Sequence, residues 1–242
     1  RRHRRPAVTA GTAPAGFARR GVAWSLDAAL LALATLALCG SRIRAGLAQA
    51  SQALDALSGA IAGLMADTLL AGGTPVELAR AWLSDPAQRA ATAALSEAIG
   101  HLLWTPLPVF ALLSLAWFSG FEASSRQATP GKRLLGLRVV DGQGRRIGLA
   151  RAMRRHLAGA LSWLTLNIGH LLAAVPPRRQ SLHDRIAGTQ VVQSVEVGPL
   201  PAWAHAWVAL LLLAAGAALA WLFVAASAAM QRAFDALLLA AN

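Results

Sequence analysis

The sequence predicts a mainly α, helical integral membrane protein, with three transmembrane helices, a re-entrant or interfacial helical hairpin and a small cytoplasmic β element. Three observations carry that reading. Of 242 residues, 14% are charged and 56% hydrophobic, with a mean hydropathy of +0.48, whereas a soluble domain carries roughly a quarter charged residues. Three apolar runs, 21–40, 99–120 and 203–225, each hold at least 20 residues, enough for ~30 Å of hydrocarbon at 1.5 Å per residue. Basic residues gather beside those runs and on alternate sides of them.

The charge pattern orders the elements. Residues 1–16 form a basic N-terminal tail, and residues 1–20 carry six Arg and no acid. Residues 41–98 hold four Arg against five acids, and residues 121–155 hold nine basic residues against two acids. Positive loops stay inside, so the tail and 121–155 are expected in the cytoplasm and 41–98 outside. This orients the chain in a bacterial cytoplasmic (inner) membrane. The run "AWSLDAALLALATLALCG" (23–40) has a basic start and a "LALCGS" end, faintly like a cleaved signal. Leu38 is too bulky for that processing, and Asp27 interrupts the apolar core, so the run is expected to stay as an anchor.

Residues 41–98 are Ala-rich with polar positions at helical spacing and a break at "AGGTP" (71–75). They read as an extracytoplasmic insertion of two or three amphipathic helices. Beyond the second span, "LRVVD" (137–141) and "GTQVVQSVEV" (188–197) are the good strand candidates, with "DGQG" as a hairpin turn. Isolated strands are unstable, so the two should pair in one sheet. Residues 149–187 must then leave and return on one side of the membrane. The fourth apolar run, 157–175, is therefore expected to turn back near "TLNIG" (165–169), or to lie in the interface. An additional C-terminal helix, 203–225, has Trp203, Trp207 and Trp221 towards its ends, where indoles prefer the interface.

Asp27 within the first span demands an explanation, because an intramembrane carboxylate is costly. On a helix Arg20 and Asp27, seven residues apart, share a face with Trp24 between them. Asp27 can pin helices through hydrogen bonds, or it can bind a proton or cation. Composition does not separate the two.

The stretches "RRGVAWSLD", "FEASSRQATPGKRLLGLRVVDGQGRRI" and "RRQSLHDRIAGTQVV" together resemble the RDD family of small bacterial membrane proteins, over about 17–40 and 99–193. The resemblance implies an RDD-like membrane domain over 17–193, with the family's arginine and two aspartates at Arg20, Asp27 and Asp184. Glu122 matches an acidic position common in that family. The implied activity is modest: transport of unidentified ligands, with cation/proton antiport for some members. The insertion at 41–98 and the helix at 203–225 depart from the minimal pattern. Asp184 and Asp27 are expected to share a polar cluster with Arg20, joined by an arginine of "RAMRRH" and by Glu122. Two carboxylates beside one guanidinium would raise one carboxyl pKa. Such a cluster serves either ion exchange or a static clamp.

Other motifs narrow the chemistry. "TPGKR" lacks the glycine spacing of a phosphate-binding P-loop; Gly131 is expected to allow a turn. Lys132, Arg133, Arg154, Arg155, Arg178 and Arg179 are expected to face anionic lipid headgroups. Ser181, His183 and Asp184 are too close in sequence to converge as a hydrolytic triad. The His residues show no metal-ligand spacing, and Cys39, the single cysteine, rules out a Cys-based cluster. The expectation is a protein with no catalytic residues, no metal and no cofactor, not an enzyme. It binds no nucleic acid, the net charge of +12 being topogenic. Two functions remain open: a transporter-like role with exchanging carboxylates, or a non-catalytic adaptor or scaffold that binds a protein partner or, through the arginines of 121–155, anionic lipid headgroups. Either admits a homo-oligomer or a membrane protein partner.

Overall fold

A computed structural model describes residues 11–164 and 167–240. The chain divides into two compact units, 1–35 with 109–209, and 36–108 with 210–242.

In the first unit, strands β1 (Thr12–Pro14), β2 (Leu137–Asp141) and β3 (Thr189–Ser194) form one antiparallel sheet, ordered β1–β3–β2. Val139 sits opposite Val191, and Thr12 opposite Ser194. The pairing of β2 with β3 is the one expected from their β-branched residues. Strand β1 is a correction: part of the stretch read as a tail adds an edge strand. Its side chains gave no alternation to detect, and Pro14, which lacks an N–H, is tolerated at an edge. Residues 1–10 of that tail lie outside the described residues. The turn after β2 forms, with Gly144 at φ +79°, but its return arm is a single bridge between Val140 and Arg146. Leu137, Val139 and Val191 bury themselves against Val22 and Ala23 at the start of helix α1 (Phe17–Leu70) and against Ala204.

Between β2 and β3 the chain runs through α6 (Leu149–Leu164), α7 (Ile168–Leu171), a 3-10 turn (Leu172–Ala174) and α8 (Leu182–Ala187). The fourth apolar run is thus not one helix. Asn167, at φ +65°, stands before α7, and its N–H donates to the Ser162 carbonyl at 2.7 Å. A Cβ on Gly169 would lie 2.4 Å from Ser162 Oγ, so α7 packs tightly back on α6. Residues 165 and 166 of the expected turn lie outside the described residues; from Asn167 onward the chain lies back against α6.

Three helical stretches are long and apolar enough to cross a bilayer: α1; α3 (Pro86–Trp104) with α4 (Pro106–Ala123); and α9 (Ala202–Ala240). Each contains one expected span. Their lengths differ from expectation: α1 has 54 residues, against the roughly 20 needed to cross. No Gly-Pro signal stops it at residue 40, so it takes in the first part of the stretch read as separate amphipathic helices. The break at 71–75 is present. Gly72 adopts φ +67°, and Thr74 begins α2 (Pro75–Ser84) with a capping box to Glu77. Within the second unit, Asp55 and Arg232 form an exposed ion pair at 2.6 Å.

Helix α5 (Pro130–Leu134) opens with Thr129 as N-cap. Gly131 is there for close approach rather than a turn: a Cβ would sit 2.2 Å from the Ala23 carbonyl oxygen and 2.9 Å from Asp27 Oδ2. Backbone cannot yield as a flexible side chain would. Gly131→Ala should therefore cost about 1–3 kcal/mol, the usual range for overpacking, read as a lowered thermal midpoint in detergent; an unchanged midpoint would show that α1 and α5 are not in contact.

Candidate functional site: a buried ion network

Helices α1, α4, α6 and α8 and the start of α5 bring six ionisable side chains into the first unit's interior. Arg20 leaves α1 and meets Asp184 at 2.6 Å, while also donating to Ser181 Oγ at 3.1 Å and to the Arg179 carbonyl at 2.9 Å. Asp184 is fully buried. It occupies the N3 position of α8, where an acid suits the helix N-terminus, and accepts from the Ser181 N–H at 3.1 Å and hydroxyl at 2.7 Å.

Arg155, on α6, is the hub. Its Nε donates to Asp184 Oδ1 at 3.0 Å, and its Nη1 reaches both Glu122 oxygens at 2.7 Å. Glu122, at the end of α4 and 1% exposed, also pairs with Lys132 of α5. Asp27 has its own surroundings. It accepts from Trp117 Nε1 at 3.2 Å, from the Gly131 N–H at 2.9 Å and from Thr129 Oγ1, and it is 0% exposed. Three carboxylates thus lie among three cations, Arg20, Lys132 and Arg155.

The expected cluster of Arg20, Asp184, Glu122 and an arginine of "RAMRRH" is assembled, and Arg155 is that arginine. Two expectations need correction. Arg20 does not bond Asp27; its guanidinium turns to α8, and Asp27 is held by neutral donors at the start of α5. Lys132 and Arg155 do not face lipid: both are buried, at 6% and 7% exposure, because each neutralises Glu122. Arg133, Arg154, Arg178 and Arg179 are exposed. Arg19, the alternative to Arg20, instead donates to the carbonyls of Leu135 and Gly198.

Electrostatics follow from these contacts. Burial alone would raise the Asp184 carboxyl, but Arg20 and then Arg155 outweigh it and hold the group well below the ordinary carboxylate range. Asp184 therefore moves opposite to the rise expected for two acids sharing one guanidinium, because Arg20 faces it in addition to the Arg155 that it shares with Glu122. His183 is pushed down to about 3, first by burial and then by Arg155. Its Nε2 faces Arg155 Nη2 at 3.2 Å; a guanidinium can only donate, so Nε2 is the acceptor and the ring is neutral. Among the described residues no group of three His, Cys, Asp or Glu could hold a metal ion.

The residues that sequence reasoning missed are Thr129, Gly131, Trp117 and Ser181. A signal existed for three of them. "TPG" is an N-cap Thr followed by Pro at N1, whose free N–H groups attract a carboxylate, and "SLHD" has capping-box spacing. Nothing local points to Trp117.

The RDD family model matches residues 14–188, and the chain belongs to the RDD family of membrane proteins. It is 34% identical over 84 residues to the uncharacterized protein YxaI of Bacillus subtilis (strain 168), an alignment that covers 35% of this chain and 55% of YxaI. The chain thus spans about half the length of that relative. No solved structure matches it.

Removing one partner of a buried ion pair strands the other charge and costs about 3–5 kcal/mol. Asp184→Asn should lose stability of that order at pH 7, measured by denaturant or thermal unfolding in detergent. The pH dependence has a definite sign. Asp184 is depressed on folding, so its contribution is present above its unfolded pKa and is lost as pH falls below ~4. His183 is depressed too, and the unfolded ring takes a proton below ~6.5 that the folded ring refuses. Acid should therefore destabilise the wild type from about pH 6.5 downward. His183→Asn should flatten the upper part of that slope, and a slope unchanged in the variant would contradict the assignment.

Proposed function

We propose that this RDD-family protein is a non-catalytic membrane adaptor whose buried ion network is a clamp, docking the sheet and helices α5–α8 onto the first span. The observation that carries this reading is Asp27. It is wholly buried and bonded to three protein donors, as befits a carboxylate that fixes α1 to α4 and α5. An exchanging carboxylate needs access to water on each side in turn.

The companion acids support the same reading. Asp184 and Glu122 are each bound by two cationic side chains, which leaves little negative charge to attract a free cation. The positive-inside rule supports a cytoplasmic N-terminus and a place in the bacterial inner membrane. The clamp then holds its basic module on the cytoplasmic side. A membrane protein partner or a second copy of the chain would dock there or along the exposed apolar helices. The transporter-like alternative would make Asp27 and Asp184 exchanging carboxylates with Arg20 as counter-charge; three spans hardly enclose a path for it without oligomerisation.

Proton flux in liposomes containing the purified protein, driven by a cation gradient, separates the two. The adaptor reading expects wild-type flux no greater than that of empty liposomes, and an Asp27→Asn variant that is inserted but melts earlier. Cation-driven flux that a folded Asp27→Asn variant abolishes would establish exchange instead.

A further inference from the structure

We infer that a groove at the start of α6 is a binding site for one phosphate group, that of an anionic lipid headgroup. The inference stands independently of whether the buried network clamps or exchanges.

The groove has a volume of about 550 Å³, and Arg145, Arg146, Arg151 and Arg154 line it together with Asp141. These arginines lie outside the buried network, and each is anchored by a contact that leaves other N–H donors over. Arg145 Nε meets Asp141 Oδ2 at 3.2 Å, and Arg151 Nη1 meets the same oxygen at 3.5 Å. Arg146 Nε donates to the Ala123 carbonyl at 2.8 Å, and Arg154 Nη2 to the Ala187 carbonyl at 3.1 Å. A guanidinium has five N–H donors in a rigid fork that matches phosphate oxygens. Arg146 and Arg154, tied to backbone carbonyls, have already lost part of the side-chain entropy that binding would otherwise take.

The single acid does not cancel them. Asp141 Oδ1 accepts the backbone N–H groups of Gln143 and Arg145, both at 2.9 Å, so the carboxylate works as a positioning residue between two arginines. Four cations against one anion leave the groove strongly positive. Helix α6 begins there, with Gly148 and Ala150 in the lining; its first N–H groups lack helical partners, and its dipole favours an anion.

Position identifies the source of the phosphate. The groove shares Arg146 and Gly148 with a second cavity of about 590 Å³, which is lined by Gly120, Ala123 and Ser124 at the end of α4 and by Leu149. Leu149 is 55% exposed. An apolar helix end beside a cluster of arginines is where an anionic headgroup meets protein.

Native mass spectrometry of the full chain in detergent, with phosphatidylglycerol or phosphatidylcholine added, tests the site. The groove pairs Arg145→Gln/Arg151→Gln and Arg146→Gln/Arg154→Gln are compared with Arg126→Gln/Arg138→Gln, which alters exposed arginines elsewhere. The second groove pair leaves the Asp141 contacts intact, so a folding defect in the first would not obscure the result. We expect one phosphatidylglycerol retained by the wild type, about tenfold less by either groove pair, and retention by the control pair within about twofold of wild type. Equal losses in all three pairs, or equal retention of phosphatidylcholine, would show diffuse attraction and overturn the site. Displacement by equimolar inorganic phosphate would overturn the lipid as its ligand.

Discussion

The guanidinium of Arg155 is the constraint on which the first unit depends. It enters from α6 and satisfies Glu122 of α4 and Asp184 of α8 together, so three elements distant in sequence must meet at one plane of five donors. A buried carboxylate that loses a cation is costly, and Asp184 or Glu122 would lose one of its two if α8 or α4 docked away from Arg155. Such networks often stabilise less than an apolar core of the same volume would. Their strength is selectivity, since the wrong arrangement is penalised more than the right one is favoured.

The same logic explains the division of labour between the two aspartates. Asp184 sits where cations are available on α1 and α6, so it takes ion pairs and its carboxyl is held low. Asp27 lies farther along α1 and is reached by the start of α5. There the Thr129 hydroxyl and the Gly131 N–H do what cations do for Asp184. Lys132 links the two regions, pairing with Glu122 one residue after the glycine that touches Asp27. Its own pKa is lowered, burial outweighing the attraction of Glu122, as expected of an ammonium withdrawn from water.

Much of the fold was legible because its signals are local. The three apolar runs, the β-branched strands and the break at 71–75 are written in short windows. The reversal in 157–175 followed from requiring two isolated strands to pair. What escaped was long-range or unpatterned. Strand β1 is three residues long and is defined by its partner β3 rather than by its own side chains. Helix α1 runs past residue 40 because nothing there stops it, and an absent stop is a weak signal. Within the site, residue types identified Arg20, Asp184 and Glu122, while burial decided the rest. Lys132 and Arg155 look like their exposed neighbours Arg133 and Arg154 until Glu122 is placed between them.

Hydrogen exchange on the intact protein in lipid nanodiscs, comparing wild type with Arg155→Gln, tests the central claim most directly. If Arg155 holds α8 and α4 together, the variant should expose the backbone amides of 182–194 and 129–141 to faster exchange while leaving 210–240 as protected as in wild type. Unchanged protection of 182–194 would mean that the sheet and helices dock without the ion network, and the clamp account would be wrong.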